Sequence, residues 1–405
     1  MNWKYFCKIT WEKLIVFALL MMGLLNPTKN VGDGLIGVIL FVYVFFVVYR
    51  VFLKNTKHKF IIILPILVAF LITSIINSSD LRDFLSVNPR EHEYTYDMGL
   101  YLKTYYLMKD GAWNYYQAHA NAFNDHAVFG LGNLPTDVWG WRLPTLFYLW
   151  SIIPISNGVV IWWMFIGFCL LTFLAVYEIT RLTLSKEKSY LAILAPYLFF
   201  PYLHFAARDW TMLQVEWWAV MIMIWGIYFY LKKKKLWSIV FFSLAMITRE
   251  LLLIPFLILV FLAWLFKKRE LKYFLIPVIV FIIFLIGHTL FVSQQVILIK
   301  GLSKYHFRLH GDGKSLLLTT LAFGSWEYLF YNLRLFTLML GLVVIGFLRQ
   351  ITWRKTVVTA SLILPLSYLL IGTSQWNHVW GVLYVPFIFL GLPWLINNFK
   401  TNKQH

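Results

Sequence analysis

The chain has 405 residues, of which 60% are hydrophobic and 13% are charged, and its mean hydropathy is +0.70. Soluble globular domains carry about 25% charged residues, so this composition excludes an ordinary soluble domain and indicates a multi-pass membrane protein. The net charge of +18 comes from basic residues in short loops between apolar runs, a pattern that predicts orientation in a membrane and argues against a nucleic-acid partner.

Apolar runs recur along the chain and predict an all-α membrane protein, with one integrated domain over residues 1–405 and about 12 transmembrane helices. Lysine and arginine are concentrated in alternate connections between the runs, so we expect these connections and both termini to face the cytoplasm. The membrane is predicted to be the plasma membrane. Two runs precede residue 50, and the later ones begin near residues 60, 158, 190, 212, 236, 273, 335, 357 and 379.

The apolar stretch 236–266 is too long for one ordinary span and has Arg249 and Glu250 near its middle. Lysine-rich segments, residues 232–235 and 267–269, flank it on both sides. One straight helix would bury the charged pair and place one lysine-rich flank outside the cell. We therefore expect a tight hairpin with residues 248–250 at its outer tip.

Two long polar segments, residues 77–141 and 293–331, are predicted to lie outside the cytoplasm. In the first, apolar and aromatic residues at 98, 101, 102, 105 and 106 have helical spacing. This spacing predicts an amphipathic helix on the membrane surface, beginning near Asp97 and stopping at Gly111.

Asp97 is the first candidate for chemistry, since it follows a polar stretch, residues 91–96, that also contains Glu93. A carboxylate within hydrogen-bond reach of a hydroxyl can act as a general base, and we expect Asp97 to do so. The structural alternative is an N-cap that satisfies free backbone amides. Glu93 is a second candidate base, with a solvated loop charge as its alternative.

Glu216 lies inside an apolar run, where a carboxylate needs a partner. Arg208 is one candidate partner, and a structural pair between Arg208 and Asp209 is the alternative. Arg249 and Glu250 are either a functional pair at the hairpin tip or a structural cap for it.

The second outer segment is rich in cations, which include Lys304 and Arg308. They are candidates to hold the phosphate of an anionic substrate, although a patch that binds lipid headgroups is the alternative. His378 lies between two tryptophans in the last outer turn, where an interfacial aromatic belt is the alternative to substrate contact.

Five stretches together resemble the GT-C class of integral-membrane glycosyltransferases, especially the protein O-mannosyltransferase and aminoarabinose transferase branch. The first is Tyr-Asp-Met-Gly-Leu-Tyr at residues 96–101, although the family's paired acid beside Asp97 is absent. The others are Gly-Ala-Trp-Asn-Tyr at residues 111–115, Arg-Leu-Pro at residues 142–144, an arginine followed by acids at residues 208–216, and Ser-Leu-Ala-Met-Ile-Thr-Arg at residues 243–249.

The resemblance implies transfer of a sugar from a polyprenyl-phosphate donor to a hydroxyl of a glycan, lipid or protein acceptor, outside the cytoplasm and with inversion. It implies that Asp97, Glu93 and Glu216 are the candidate catalytic carboxylates. A divalent cation is used by some relatives, and the sequence shows no clear ligand set for one. The residues expected to bind substrate are Tyr96, Tyr101, Arg142, Arg208, Asp209, Arg249, Lys304, Arg308 and His378.

Two other functions fit parts of the pattern. A flippase or polymerase for lipid-linked oligosaccharides would share the basic outer segment and the aromatic residues, but it would not need Asp97 as a base. A secondary transporter would show inverted repeats with charges near the middle of the membrane, and no convincing repeat is visible.

Overall fold

The computed structural model describes residues 59–87, 96–111, 113–127, 135, 138–300, 345, 348, 352–368 and 375–397. Within these ranges the regular elements are all helices, with no β-strand, which confirms the all-α prediction. The α-helices are α1 (Lys59–Ile76), α2 (Ser79–Ser86), α3 (Tyr96–Lys109), α4 (Tyr115–Ala127), α5 (Thr145–Ser151), α6 (Val159–Thr183), α7 (Leu194–Arg208), α8 (Val215–Leu231), α9 (Lys235–Thr248), α10 (Leu253–Leu265), α11 (Leu271–Lys300), α12 (Trp353–Thr359), α13 (Leu364–Ser367) and α14 (Val385–Asn397).

In the part of the chain that the structure describes, three helices are long and apolar enough to cross a membrane, over Val159–Thr183, Lys188–Arg208 and Leu271–Leu298. A fourth span results if α1 and α2, which meet at a bend of 63°, count as one. The Arg82 guanidinium donates hydrogen bonds to the carbonyls of Ile75 and Ser78 at this bend, where the helical bonds are interrupted. The total of 12 spans remains a prediction.

Two helical segments differ in extent from the apolar runs of the sequence. The second outer segment is predicted to begin at residue 293, and α11 continues through the polar residues Ser293, Gln294 and Gln295 to Lys300. The run from residue 357 was expected to be one span. Instead it is divided among α12, a 3-10 helix at Ala360–Ile363 and α13, and Pro365 lies at the start of α13.

Helix α3 ends as predicted, since it stops at Lys109 and Gly111 follows with φ +120°. The prediction that α3 has a single apolar stripe and lies on the membrane surface is wrong, however. Leu100, Leu102 and Tyr105, which point in different directions around the helix, are all buried, because α4 and α5 pack against α3. The helix is therefore a core element of the described region.

The predicted hairpin is present around Arg249. Helix α9 ends at Thr248, Arg249 is extended with φ −145° and ψ 110°, and a 3-10 turn at Glu250–Leu252 leads into α10. The rings of Phe242 and Phe256 lie 4.9 Å apart. In one straight helix these two residues would be separated by about 21 Å, so the chain folds back at the charged pair.

The helices alternate between two ends of the bundle, which we call the basic end and the carboxylate end. Helix α8 has Glu216 in its first turn and the lysines 232–235 after its last, about 24 Å away. The Lys232 ammonium lies 2.7 Å from Glu178 near the end of α6. The Trp353 indole donates to the Tyr230 hydroxyl at 2.8 Å, which places the start of α12 at the basic end too.

Lysines form both tight turns at the basic end. Lys233 and Lys267 have φ of 60° and 49°, the left-handed conformation that commonly terminates helices. The next amide in each turn reaches back five residues, from Lys234 to Phe229 and from Lys268 to Ala263. Each turn thus pairs carbonyls that the helix end leaves free.

Helices α8 and α9 approach closely at Gly226, where an added Cβ would lie 2.3 Å from the buried Phe242 ring. We expect Gly226→Ala to lower the free energy of unfolding by about 1–3 kcal/mol, the usual cost of overpacking. Thermal unfolding of the purified protein in detergent measures this. Gly287→Ala is the control, because its Cβ would meet nothing within 4 Å. Equal stability of the two variants would contradict the close packing.

Candidate functional site

Asp97 lies in the first turn of α3 and has 59% of its side chain exposed. Its Oδ2 atom is 3.2 Å from Arg142 Nη2, an ion pair between α3 and the segment before α5. Among the described residues no hydrogen bond falls on Oδ1 of this carboxylate. One oxygen is therefore held by a cation while the other remains open to a ligand.

Two tyrosines hold Arg142 in place. Its Nε donates to the Tyr101 hydroxyl, and its backbone carbonyl accepts a 2.6 Å hydrogen bond from the Tyr115 hydroxyl. Burial raises the pKa of Tyr101 well above its usual value, although the Arg142 charge acts in the opposite direction. Tyr101 is thus a neutral phenol at physiological pH, and it orients the guanidinium without cancelling its charge.

A second charged group, which we call the buried triad, consists of Glu216, Arg249 and Glu250. Arg249 Nη2 is 2.9 Å from Glu216 Oε1, and Nη1 is 2.5 Å from Glu250 Oε1. The Arg249 side chain is 1% exposed and Glu216 is 4% exposed, whereas Glu250 is 22% exposed. The indole of Trp380 lies 5.3 Å from the guanidinium carbon, as in a cation–π contact.

The two charged groups are neighbours at the carboxylate end. The Thr145 hydroxyl, three residues after Arg142, donates to the Ile247 carbonyl just before the hairpin tip. The Gln214 amide, just before α8, contacts Met98 Sδ at 3.8 Å, beside Asp97. The negative charge of Glu216 acts on both Arg142 and Tyr101. Four chain segments that are distant in sequence therefore meet here.

The predicted partner of Glu216 is wrong, because Glu216 pairs with Arg249 and not with Arg208. Asp209 instead accepts a hydrogen bond from the Thr211 amide at 2.9 Å and caps the short 3-10 helix that follows. Burial raises the pKa of Asp209, while the hydrogen bonds to Thr211 and the charge of Arg208 lower it. These contacts give Asp209 a structural role as a helix cap, while roles of Arg208 and Asp209 in substrate binding stay predictions.

Several predicted site residues are not tested. Glu93, Lys304 and Arg308 lie outside the described residues, and so do the side chains of Tyr96 and His378. The structure brings together Asp97, Tyr101, Arg142, Glu216 and Arg249.

Sequence reasoning missed an aromatic and histidine layer beside Arg142. His119 is buried, stacks on Tyr115 with ring centroids 5.0 Å apart, and has Nδ1 2.9 Å from the Thr104 hydroxyl. The Tyr116 hydroxyl lies 3.1 Å from Nδ1 of His288, which joins α4 to α11. His288 carried a usable signal, since a histidine inside a long apolar run needs a polar partner.

In the part of the chain that the structure describes, no group of three His, Cys, Asp or Glu side chains is arranged to hold a metal ion. A role for a divalent cation stays a prediction. What the site offers is an open carboxylate oxygen, an oriented guanidinium beside it and a buried ionic group behind them.

Comparisons of the chain with protein-family models, curated proteins and solved structures find no match. The fold and site by themselves define an all-helical protein with helices long enough to span a membrane and a charged cluster at one end.

The buried triad should control stability. Arg249→Met leaves Glu216 buried without its cation, and breaking a buried pair in this way costs about 3–5 kcal/mol. We expect the thermal midpoint in detergent to fall accordingly. Adding Glu216→Gln removes the unpaired charge and should restore most of the loss. A double variant no more stable than Arg249→Met would show that the ion pair is not the cause.

His119 should make stability depend on pH. Burial lowers its pKa to about 3, whereas an unfolded histidine titrates near 6.5. Between these values the unfolded chain binds a proton and the folded chain does not, so stability should fall by about 1.4 kcal/mol per pH unit as the pH decreases.

Thermal unfolding at pH 6.5 and pH 5 tests this dependence on His119. The variant His119→Phe keeps a ring in the aromatic layer but cannot bind a proton. It should lose less stability over this interval than the wild-type protein does. Parallel losses in the two proteins would show that other groups cause the pH dependence.

Proposed function

We propose that the protein is a GT-C-type glycosyltransferase that moves a sugar from a polyprenyl-phosphate donor to an acceptor hydroxyl, with inversion. The observation that carries the proposal is the Asp97–Arg142 pair, an exposed carboxylate beside an arginine anchored by Tyr101. It coincides with the motifs that resemble this class. The pair lies at the end of the bundle away from the lysine-rich turns, which are the expected cytoplasmic side.

In the proposed reaction Asp97 is the general base. Oδ1 removes the proton of the acceptor hydroxyl while that oxygen attacks the anomeric carbon from the face opposite the lipid phosphate. The bond between the anomeric carbon and the phosphate oxygen breaks, and its electron pair leaves with the phosphate. Because phosphate is a good leaving group, a strong general acid is not required. Inversion at the anomeric carbon follows from this single displacement.

Arg142 has two roles in this proposal. Its Nε donates a hydrogen bond to Tyr101, and its Nη2 contacts Asp97. The remaining N–H groups of the guanidinium can donate to a phosphate oxygen. When a phosphate competes for Arg142, the Asp97 carboxylate is released from its ion pair and can turn toward the acceptor hydroxyl. Lys304 and Arg308 are candidates for further phosphate contacts.

The membrane setting completes the proposal. The carboxylate end faces away from the cytoplasm of a plasma-membrane protein with about 12 spans. The prenyl chain of the donor then lies along apolar helices in the lipid, while its phosphate and sugar meet Arg142 and Asp97. The acceptor is a hydroxyl of a glycan, a lipid or a protein.

Asp97→Asn should lower sugar transfer at least about 100-fold, the effect expected when a general base is removed. Purified protein in detergent, cell-derived lipid-linked sugars and a set of acceptors provide the assay. Asp110→Asn is the matched control, because Asp110 is an exposed aspartate just after the other end of the same helix. We expect that variant to retain transfer activity, and donor binding should be equal in all three proteins.

Other outcomes separate the rival functions. If Asp97→Asn transfers sugar as fast as the wild-type protein, Asp97 is a cap and not the base. If no donor is consumed but lipid-linked sugar crosses the bilayer of reconstituted vesicles, the protein is a flippase and the proposal is wrong.

A further inference from the structure

Four cations from three chain segments converge at the basic end. The ammonium groups of Lys235 and Lys272 lie 6.0 and 5.8 Å from the ring of Tyr273. The Lys268 ammonium lies 5.9 Å from the ring of Trp353, and Arg354 is the next residue along α12. We call Lys235, Lys268, Lys272 and Arg354 the basic patch.

Aromatic side chains form the floor of the basic patch. The Trp353 indole is fixed by its hydrogen bond to the Tyr230 hydroxyl. The rings of Trp353 and Tyr230 both pack on the Phe274 ring, with centroid distances of 6.0 Å and 5.4 Å respectively. Lys235, Lys272 and Arg354 are exposed and Lys268 is half-buried. Because these rings pack together, they hold the segments that carry the cations around one accessible surface.

The charge of this surface is strongly one-sided. Glu270 is the acidic residue within the turn that links α10 to α11, and its charge and that of Arg354 both reach Tyr230. The four cations of the patch together with the adjacent Glu270 carboxylate have a formal charge of 4 − 1 = +3. An anionic ligand is what such a surface attracts.

The surroundings of the patch identify the kind of anion. Large apolar side chains beside the lysine turns are exposed, among them Leu236 at 70%, Trp264 at 63%, Phe266 at 59% and Trp237 at 54%. Apolar and tryptophan side chains next to ammonium groups are typical of the boundary between hydrocarbon and headgroups in a bilayer. A soluble acidic partner would not account for this apolar rim.

We propose that the basic patch binds the headgroup phosphate of an anionic phospholipid, with the acyl chains along the exposed apolar rim. The ammonium groups and the Arg354 guanidinium supply charge-assisted hydrogen bonds to phosphate oxygens. The site lies at the opposite end of α8 from Glu216, and it does not depend on glycosyl transfer.

Native mass spectrometry of the full-length protein in detergent tests the site, with phosphatidylglycerol and phosphatidylcholine as probes. We expect wild-type protein to retain phosphatidylglycerol preferentially. Lys268→Gln with Lys272→Gln should weaken its binding about 30-fold, since each basic residue near an anionic surface contributes about fivefold. Lys268→Arg with Lys272→Arg keeps the charge and should bind nearly as well as wild type.

The matched control is Lys186→Gln with Lys234→Gln, which removes the same charge from exposed lysines of the basic end outside the patch. An equal loss in the control would overturn the site in favour of general attraction. Equal retention of both lipids by wild-type protein would also overturn it, even if the glutamine variants failed to fold. Displacement of the lipid by millimolar inorganic phosphate would mean a site for free phosphate, contrary to the proposal.

Discussion

A buried guanidinium must find acceptors, and this requirement organises the carboxylate end of the protein. Arg249 forms ion pairs with Glu216 at the start of α8 and with Glu250 in its own turn. Its guanidinium also lies over the ring of Trp380 from the C-terminal region. An arginine that is 1% exposed cannot lose either carboxylate cheaply. These ion pairs fix the hairpin tip beside the first turn of α8. The Ile247 carbonyl, next to the tip, accepts a hydrogen bond from the Thr145 hydroxyl in the segment that contains Arg142.

The Asp97–Arg142 pair combines a fixed and an adjustable partner. Tyr101 and Tyr115 hold Arg142 from two helices, so its guanidinium has little freedom. Asp97 is exposed and contributes one long contact at 3.2 Å, so a competing anion can displace it. This difference in constraint favours a site that responds to an anionic ligand over a purely structural ion pair, which would bury both partners as the triad buries Glu216 and Arg249.

Local features of the sequence predicted much of the fold. The lysines on both flanks of residues 236–266 predicted the hairpin, and Gly111 predicted the end of α3, because each depends on chemistry within a few residues. The pairing of Glu216 with Arg249 was not predictable in the same way. It depends on the rotation and depth of α8 against α9, which no local pattern encodes, and the nearer Arg208 was the natural choice. The burial of α3 likewise depends on α4 and α5, which cover it.

The two ends of α8 carry opposite charges and differ in burial: the carboxylate at its start is enclosed, and the lysines after its end are exposed. At the start, Glu216 is enclosed and needs one specific cation, so the geometry is fixed by Arg249. At the end, lysines 233–235 are exposed and keep their solvation, so their exact partners matter little to folding. Charges that do not stabilise the fold are free to bind other molecules. That freedom distinguishes the basic patch from the triad, although both consist of ionic groups packed against tryptophan.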